Sequence, residues 1–197
     1  MDYKSKTWEL FLKSIEPLGV SKKEAEILFH LLDSKSGKTQ RWLLRRLVAR
    51  GVVRPFAEIL ASRRVIDKRR KTKEEIEKIN RLLQGLLQIP SQKLNALFNA
   101  LVQLYGDYSE YMRSRPTKIF YLIAMGIPIS PAYLRMDIEN LKRKLSELKE
   151  LGVPTNALTL NTSTETLKKR LEELEKEGKP PTMLNLFPRN SKNSKSS

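Results

Sequence analysis

The stretch DSKSGKT, Asp33 to Thr39, ends in Gly37-Lys38-Thr39, the residue types that close a phosphate-binding loop. Such a loop wraps a phosphate with backbone N–H groups, and needs a glycine five positions before Gly37 and a buried strand leading in. Position 32 is Leu32 instead. The preceding KEAEILFHLLD spaces Ala25, Leu28, Phe29 and Leu32 by three and four, the period of a helix. The stretch therefore reads as a polar turn between helices, with Gly37 ending one and Lys38 opening the next.

Other reactive chemistry is scarce. The absence of cysteine removes disulfides and thiolate metal sites. His30, the single histidine, lies among Ile27, Leu31 and Asp33 on a helix, where a packed or boundary role is expected. Glu74, Glu75 and Glu77 adjoin basic residues, as the carboxylates of a two-metal nuclease would. They also fall in the first turn of a helix, where acids complement the dipole, and that is the simpler account. Tyr105, Tyr108 and Tyr111 could include a nucleophile, but the histidine–arginine box of tyrosine recombinases is missing. The expectation is a protein that is not an enzyme, with no metal, no cofactor and no small-molecule substrate.

Charge points elsewhere. The net charge is +16 over 197 residues, which calls for a polyanionic partner more readily than for any particular fold. Fourteen basic residues fall between Lys35 and Lys73: Lys35, Lys38, Arg41, Arg45, Arg46, Arg50, Arg54, Arg63, Arg64, Lys68, Arg69, Arg70, Lys71 and Lys73. Only Glu58 and Asp67 oppose them, and nine of the fourteen are arginine, the residue suited to phosphate forks and to stacking on bases. Placed on a helix, KTQRWLLRRLVAR gathers Leu43, Leu44, Leu47 and Val48 on one arc, with Lys38, Arg41, Arg45, Arg46 and Arg50 on the other. Trp42 falls within the basic arc. It could stack on an unpaired base, or pack against a neighbouring helix while the arginines snorkel around it. The candidate nucleic-acid contacts are Lys38, Arg41, Trp42, Arg45, Arg46, Arg50, Arg54, Arg63, Arg64, Lys68, Arg69 and Arg70, with DNA favoured over RNA.

These residues need helices to position them. Spacing of three and four dominates, and predicts an all-α fold with helices near 7–17, 21–33, 38–50, 55–67, 72–88, 91–105, 117–125, 137–150 and 164–177. Ser21 with Glu24, and Thr72 with Glu75, mark capping-box starts. The expected parts are a basic helical domain over 1–73, a central helical segment over 74–116, helical repeats over 117–188 and a disordered basic tail over 189–197. The start lacks the apolar core of a signal peptide, and the longest nearly apolar run, IFYLIAMGIPI, is too short for a membrane span. A soluble, cytoplasmic protein with no membrane partner is expected.

The C-terminal half repeats. LKRKLSELKELGVPTNALTL (Leu141–Leu160) aligns without gaps on LKKRLEELEKEGKPPTMLNL (Leu167–Leu186), a period of 26 residues. Ile119, Leu122, Gly126, Pro128 and Leu134 stand one period earlier, and Leu44, Leu47 and Gly51 carry a fainter copy. The unit is an amphipathic helix, a glycine that ends it, a proline that turns the chain and a short apolar segment. One unit cannot cover its own apolar face, so neighbours must stack. This leucine–glycine–proline unit resembles the repeats of the mitochondrial transcription termination factor family. That resemblance implies stacked helical hairpins in a solenoid-like array with a basic groove for nucleic acid, although the family's period is longer than 26 residues.

Two further readings compete. Helices 7–17, 21–33 and 38–50 could form a helix-turn-helix reader, but RPFAEILASRRVI continues as helix where a wing should follow. The leucine-rich segments 137–150 and 164–177 could pair with another copy, as in a helical assembly, a scaffold or a viral nucleoprotein. Each is broken by Gly-x-Pro, which excludes a long coiled coil.

Overall fold

Apolar spacing by three and four is realised as helix along the chain. The computed structural model describes residues 3–106, 112–113 and 115–188, and among these the protein is all-helical, with one isolated β-bridge between Ser36 and Arg63. Tyr108, Tyr111 and the basic tail at 189–197 lie outside the described residues. Two compact units, Met1–Leu134 and Arg135–Ser197, make up the chain. The first holds α1 (Tyr3–Ile15), α2 (Lys22–Asp33), α3 (Arg41–Ala49), α4 (Arg54–Ala61), α5 (Lys73–Gln88), α6 (Ser91–Tyr105), α7 (Lys118–Ala124) and the short α8 (Pro131–Arg135). The second holds α9 (Ile138–Glu150), α10 (Ala157–Asn161), α11 (Thr164–Lys176) and α12 (Met183–Leu186). No helix among the described residues is long and apolar enough to cross a membrane.

Local chemistry explains where most helices begin. Ser21 Oγ accepts from the Glu24 N–H at 3.3 Å while the Ser21 N–H donates to Glu24 Oε2 at 2.7 Å. Thr72 and Glu75 repeat this exchange at 3.2 and 2.8 Å. Each reciprocal pair satisfies amides that the first turn would otherwise leave open, as expected from the sequence. The core of the first unit centres on Phe11, whose ring meets Phe29 edge-on at 5.2 Å and Phe120 at 5.4 Å. The apolar run that is too short for a membrane span becomes α7, with Ile119, Phe120, Tyr121, Leu122 and Ala124 buried, and α7 packs on α1.

Two elements depart from the sequence expectation. The segment read as one helix over 55–67 stops at Ala61 and resumes only as a 3-10 turn at Arg64–Ile66. In α3 the buried residues are Leu43 and Leu47, while Val48, placed by the helical wheel in the core arc, is 42 % exposed. The wheel fixes which residues share an arc, but the width of the arc that a neighbour covers is a tertiary property.

The 26-residue unit has a definite local structure. Gly152 ends α9 with φ 64, and its N–H donates to Lys149 O at 3.1 Å while the Val153 N–H donates to Leu148 O at 2.9 Å. This is a Schellman ending, with Leu148 and Val153 both buried around it. The left-handed φ is open to glycine and strained for a residue bearing a β-carbon. Gly126 and Gly178, one period before and after, have φ 69 and 64 with equivalent bonds. Gly51 ends α3 in the same way, with Val52 donating to Leu47 O. The proline then turns the chain into a short helix, capped by Asn156 for α10 and by Thr182, 26 positions on, for α12. Leu134, Leu160 and Leu186 are buried at equivalent positions of α8, α10 and α12.

Candidate nucleic-acid interface

The turn between α2 and α3 is built by pairing with a distant segment. The Gly37 N–H donates to Ser62 O at 2.6 Å, the Gln40 N–H to Ala61 O at 2.8 Å and the Arg64 N–H to Lys35 O at 2.9 Å. A β-carbon on Gly37 would lie 2.8 Å from Arg64 Cγ. Glycine is therefore needed for close approach, and the expectation that Gly37 ends a helix is corrected: α2 has already ended at Asp33. Because residues 34–40 run along 61–64, α3 starts only at Arg41, and Lys38 is an exposed turn residue rather than a helical one.

Arg63 holds this pairing from inside. Sequence places it among the phosphate contacts, but its side chain is fully engaged in the fold, with the residue only 1 % exposed. Its Nε donates to Ile59 O at 2.8 Å, Nη1 to Ser34 O at 3.1 Å and Nη2 to Arg113 O at 2.7 Å. Burial pulls the guanidinium down to about 10, so it stays protonated at neutral pH. Burial also raises the nearby Tyr105 phenol, whose O–H donates to Arg115 O at 3.2 Å. Arg115 in turn donates from Nε to Asp33 Oδ1 at 3.1 Å, and Thr117 Oγ1 donates to the same oxygen at 2.8 Å. Arginine suits such a node because its planar fork can serve several carbonyls while remaining charged.

The other predicted contacts divide by what holds them. Arg50 is half-buried and donates from Nη2 to Ile89 O at 3.0 Å, tying the end of α3 to the α5–α6 junction. Arg54 pairs with Glu58 at 3.2 Å. Arg64 is exposed, with its Nε on Ser36 O at 3.1 Å. Lys68 Nζ donates to Asn80 Oδ1 at 2.5 Å, which fixes the ammonium without neutralising it. Arg69 pairs with Asp67 through Nε at 3.1 Å and Nη2 at 3.0 Å, and this contact holds the Asp67 carboxyl below its ordinary range. Arg70 has a left-handed backbone, φ 58, a conformation that costs a residue with a β-carbon about 1 kcal/mol.

Lys38, Arg41, Arg45, Arg46 and Arg70 are exposed and have no acidic partner among the described residues. Trp42 is 46 % exposed on the same helix as three of them, and Arg45 and Arg46 stand one turn beyond it. Lys38 and Trp42 share a hollow with Ile66, Lys68 and Arg69. A second hollow places Arg41 with Glu58 and Arg113. Arg113 is the residue that sequence reasoning missed: it stands forty positions beyond Lys73, outside the basic block, and is brought here by the Arg63 contact to its carbonyl and by its own pairing with Glu58 at 3.7 Å.

The acids and the histidine fall outside this chemistry. Glu75 is used by its capping box, and among the described residues no three His, Cys, Asp or Glu side chains gather where a metal ion could bind. His30 is exposed beside Val65, Lys71 and Glu75 rather than packed. No protein-family model matches the chain, and no curated protein or solved structure matches it either.

Proposed function

We propose that this protein is a non-enzymatic nucleic-acid-binding protein that grips a DNA phosphate backbone through the Lys35–Lys73 region. One observation carries the reading: Arg41 and Arg45 occupy the start and middle of α3 with no carboxylate in its first turn, and Arg46 joins them as a third exposed arginine in the last turn. Cations at a helix N-terminus oppose the dipole, and like charges four apart, such as Arg41 and Arg45, repel. The fold gains nothing from Arg41 and Arg45, so they answer to a ligand, whereas Arg46 also complements the C-terminal end of the dipole. Lys38, Lys68, Arg69 and Arg70 add positive charge on the turn and loop nearby. The 26-residue units extend the reading to a stacked helical repeat, as their resemblance to transcription termination factor repeats implies.

Salt titration tests this. Each phosphate neutralised contributes about 0.7 to 0.9 to the slope of log affinity against log salt, so four contacts predict a slope of about −3 or steeper. Absence of binding to any DNA at low salt would refute the proposal.

A second reading, a helical assembly protein, has its own supporting observation. Leu158 and Leu184, one period apart on α10 and α12, are 57 % and 71 % exposed. If they join copies of the chain, the sedimentation coefficient of the DNA-free protein rises with concentration, and Leu158→Ser with Leu184→Ser abolishes the rise. A monomer at every concentration removes this reading.

A further inference from the structure

We infer that the site takes an unpaired nucleotide of single-stranded DNA, its base stacked on Trp42 and its flanking phosphates on Lys38 and Arg69. The inference rests on the nucleic-acid reading above and names the form of the polymer. Its basis is the hollow between the 38–40 turn, the start of α3 and the 66–69 loop, about 470 Å³ in volume. Small-molecule sites run from about 300 to 1,000 Å³, so the space suits one nucleotide and not a duplex.

The walls fit that occupant. Trp42 supplies the apolar wall over a floor that includes the buried Ile66, and Lys38, Lys68 and Arg69 supply three cations against the one carboxylate of Asp67. That carboxylate is paired with Arg69 at 3.0 Å, which offsets its repulsion of a phosphate. Lys68 is likewise fixed by Asn80 and keeps its charge. Trp42 has no ring contact with another aromatic among the described residues and is 46 % exposed, so packing does not consume its face. Stacking on an indole needs an unstacked base. A single strand presents one at little cost, whereas a duplex must first extrude it. A smooth groove that followed duplex phosphates would need the cations and would have no use for an aromatic wall.

The test uses the full chain carrying Trp8→Phe, which leaves Trp42 as the sole tryptophan. Trp8 stands beside Phe11 and Phe29, so phenylalanine preserves that cluster. A single-stranded DNA of about 15 nucleotides and its duplex are titrated at matched salt, with fluorescence and affinity both read. The expected result is quenching of Trp42 by the single strand and about tenfold tighter binding of it than of the duplex. In the otherwise native chain, Trp42→Ala should lower single-strand affinity about tenfold and erase the preference, with Trp42→Phe intermediate. Circular dichroism verifies that each variant is folded. Equal affinity for both forms with unchanged emission would overturn the inference while leaving the phosphate-gripping reading in place. Binding of neither form would remove both, and unaltered single-strand affinity in Trp42→Ala would remove the inference alone.

Discussion

Replacing Lys38, Arg41, Arg45 and Arg46 together by alanine is expected to weaken DNA binding by on the order of a thousandfold at about 0.1 M salt. The estimate follows from counterion release. Four lost phosphate contacts remove about 3 units of log–log salt slope, and that difference extrapolates to roughly three decades at this ionic strength. The variant should fold, because all four side chains are exposed and the buried residues of α3 are Leu43 and Leu47. Relief of like-charge repulsion, and alanine's helix propensity, should leave its thermal midpoint level or slightly raised. Arg50 is kept out of the set, since its bond to Ile89 O would confuse lost binding with lost structure. The control replaces Lys142, Arg143, Lys168 and Lys169, which are interleaved with glutamates on α9 and α11; Lys142 already pairs with Glu139 and Arg143 with Glu147. Its affinity and slope should change little. Equal losses from both sets would mean that diffuse charge drives binding, and no loss from the first would move the site away from α3.

What could be read from the sequence was what depends on neighbours a few residues apart. The capping boxes at Ser21 and Thr72 need only a glutamate three positions on. The repeat needs only a leucine, a glycine four positions later and a proline two after that, and the Schellman endings at Gly126, Gly152 and Gly178 follow from those spacings. The turn at 34–40 could not be read this way, because its partners Ala61, Ser62 and Arg64 lie more than twenty residues along the chain. Gly37 illustrates the difficulty. By type it suggests a helix end, yet what requires it is the side chain of Arg64. The short helices α8, α10 and α12 span four or five residues, too few for a periodicity to register, and so read only as apolar segments.

The arginines make the same point more sharply, because residue type alone cannot separate a ligand contact from a structural clamp. Arg63→Ala is expected to destabilise the protein by about 3–5 kcal/mol, the range for removing one partner from a buried charged network. The substitution leaves the carbonyls of Ser34 and Arg113 without their donor, leaves Ile59 O to its bonds from Ser62, and empties the space between α4 and the 34–40 turn. Arg63→Lys keeps a charge but presents one ammonium where a planar fork served three directions, so it should fall between wild type and alanine. Urea unfolding followed by circular dichroism measures both. The separation from binding is the decisive part. At temperatures where Arg63→Ala remains folded, its salt slope on DNA should equal that of wild type, because Arg63 offers no phosphate contact from the interior. A shallower slope with unchanged stability would place Arg63 on the binding surface after all. A large stability loss with an unchanged slope would establish that the basic block contains two kinds of arginine, one that builds the turn and one that the turn presents.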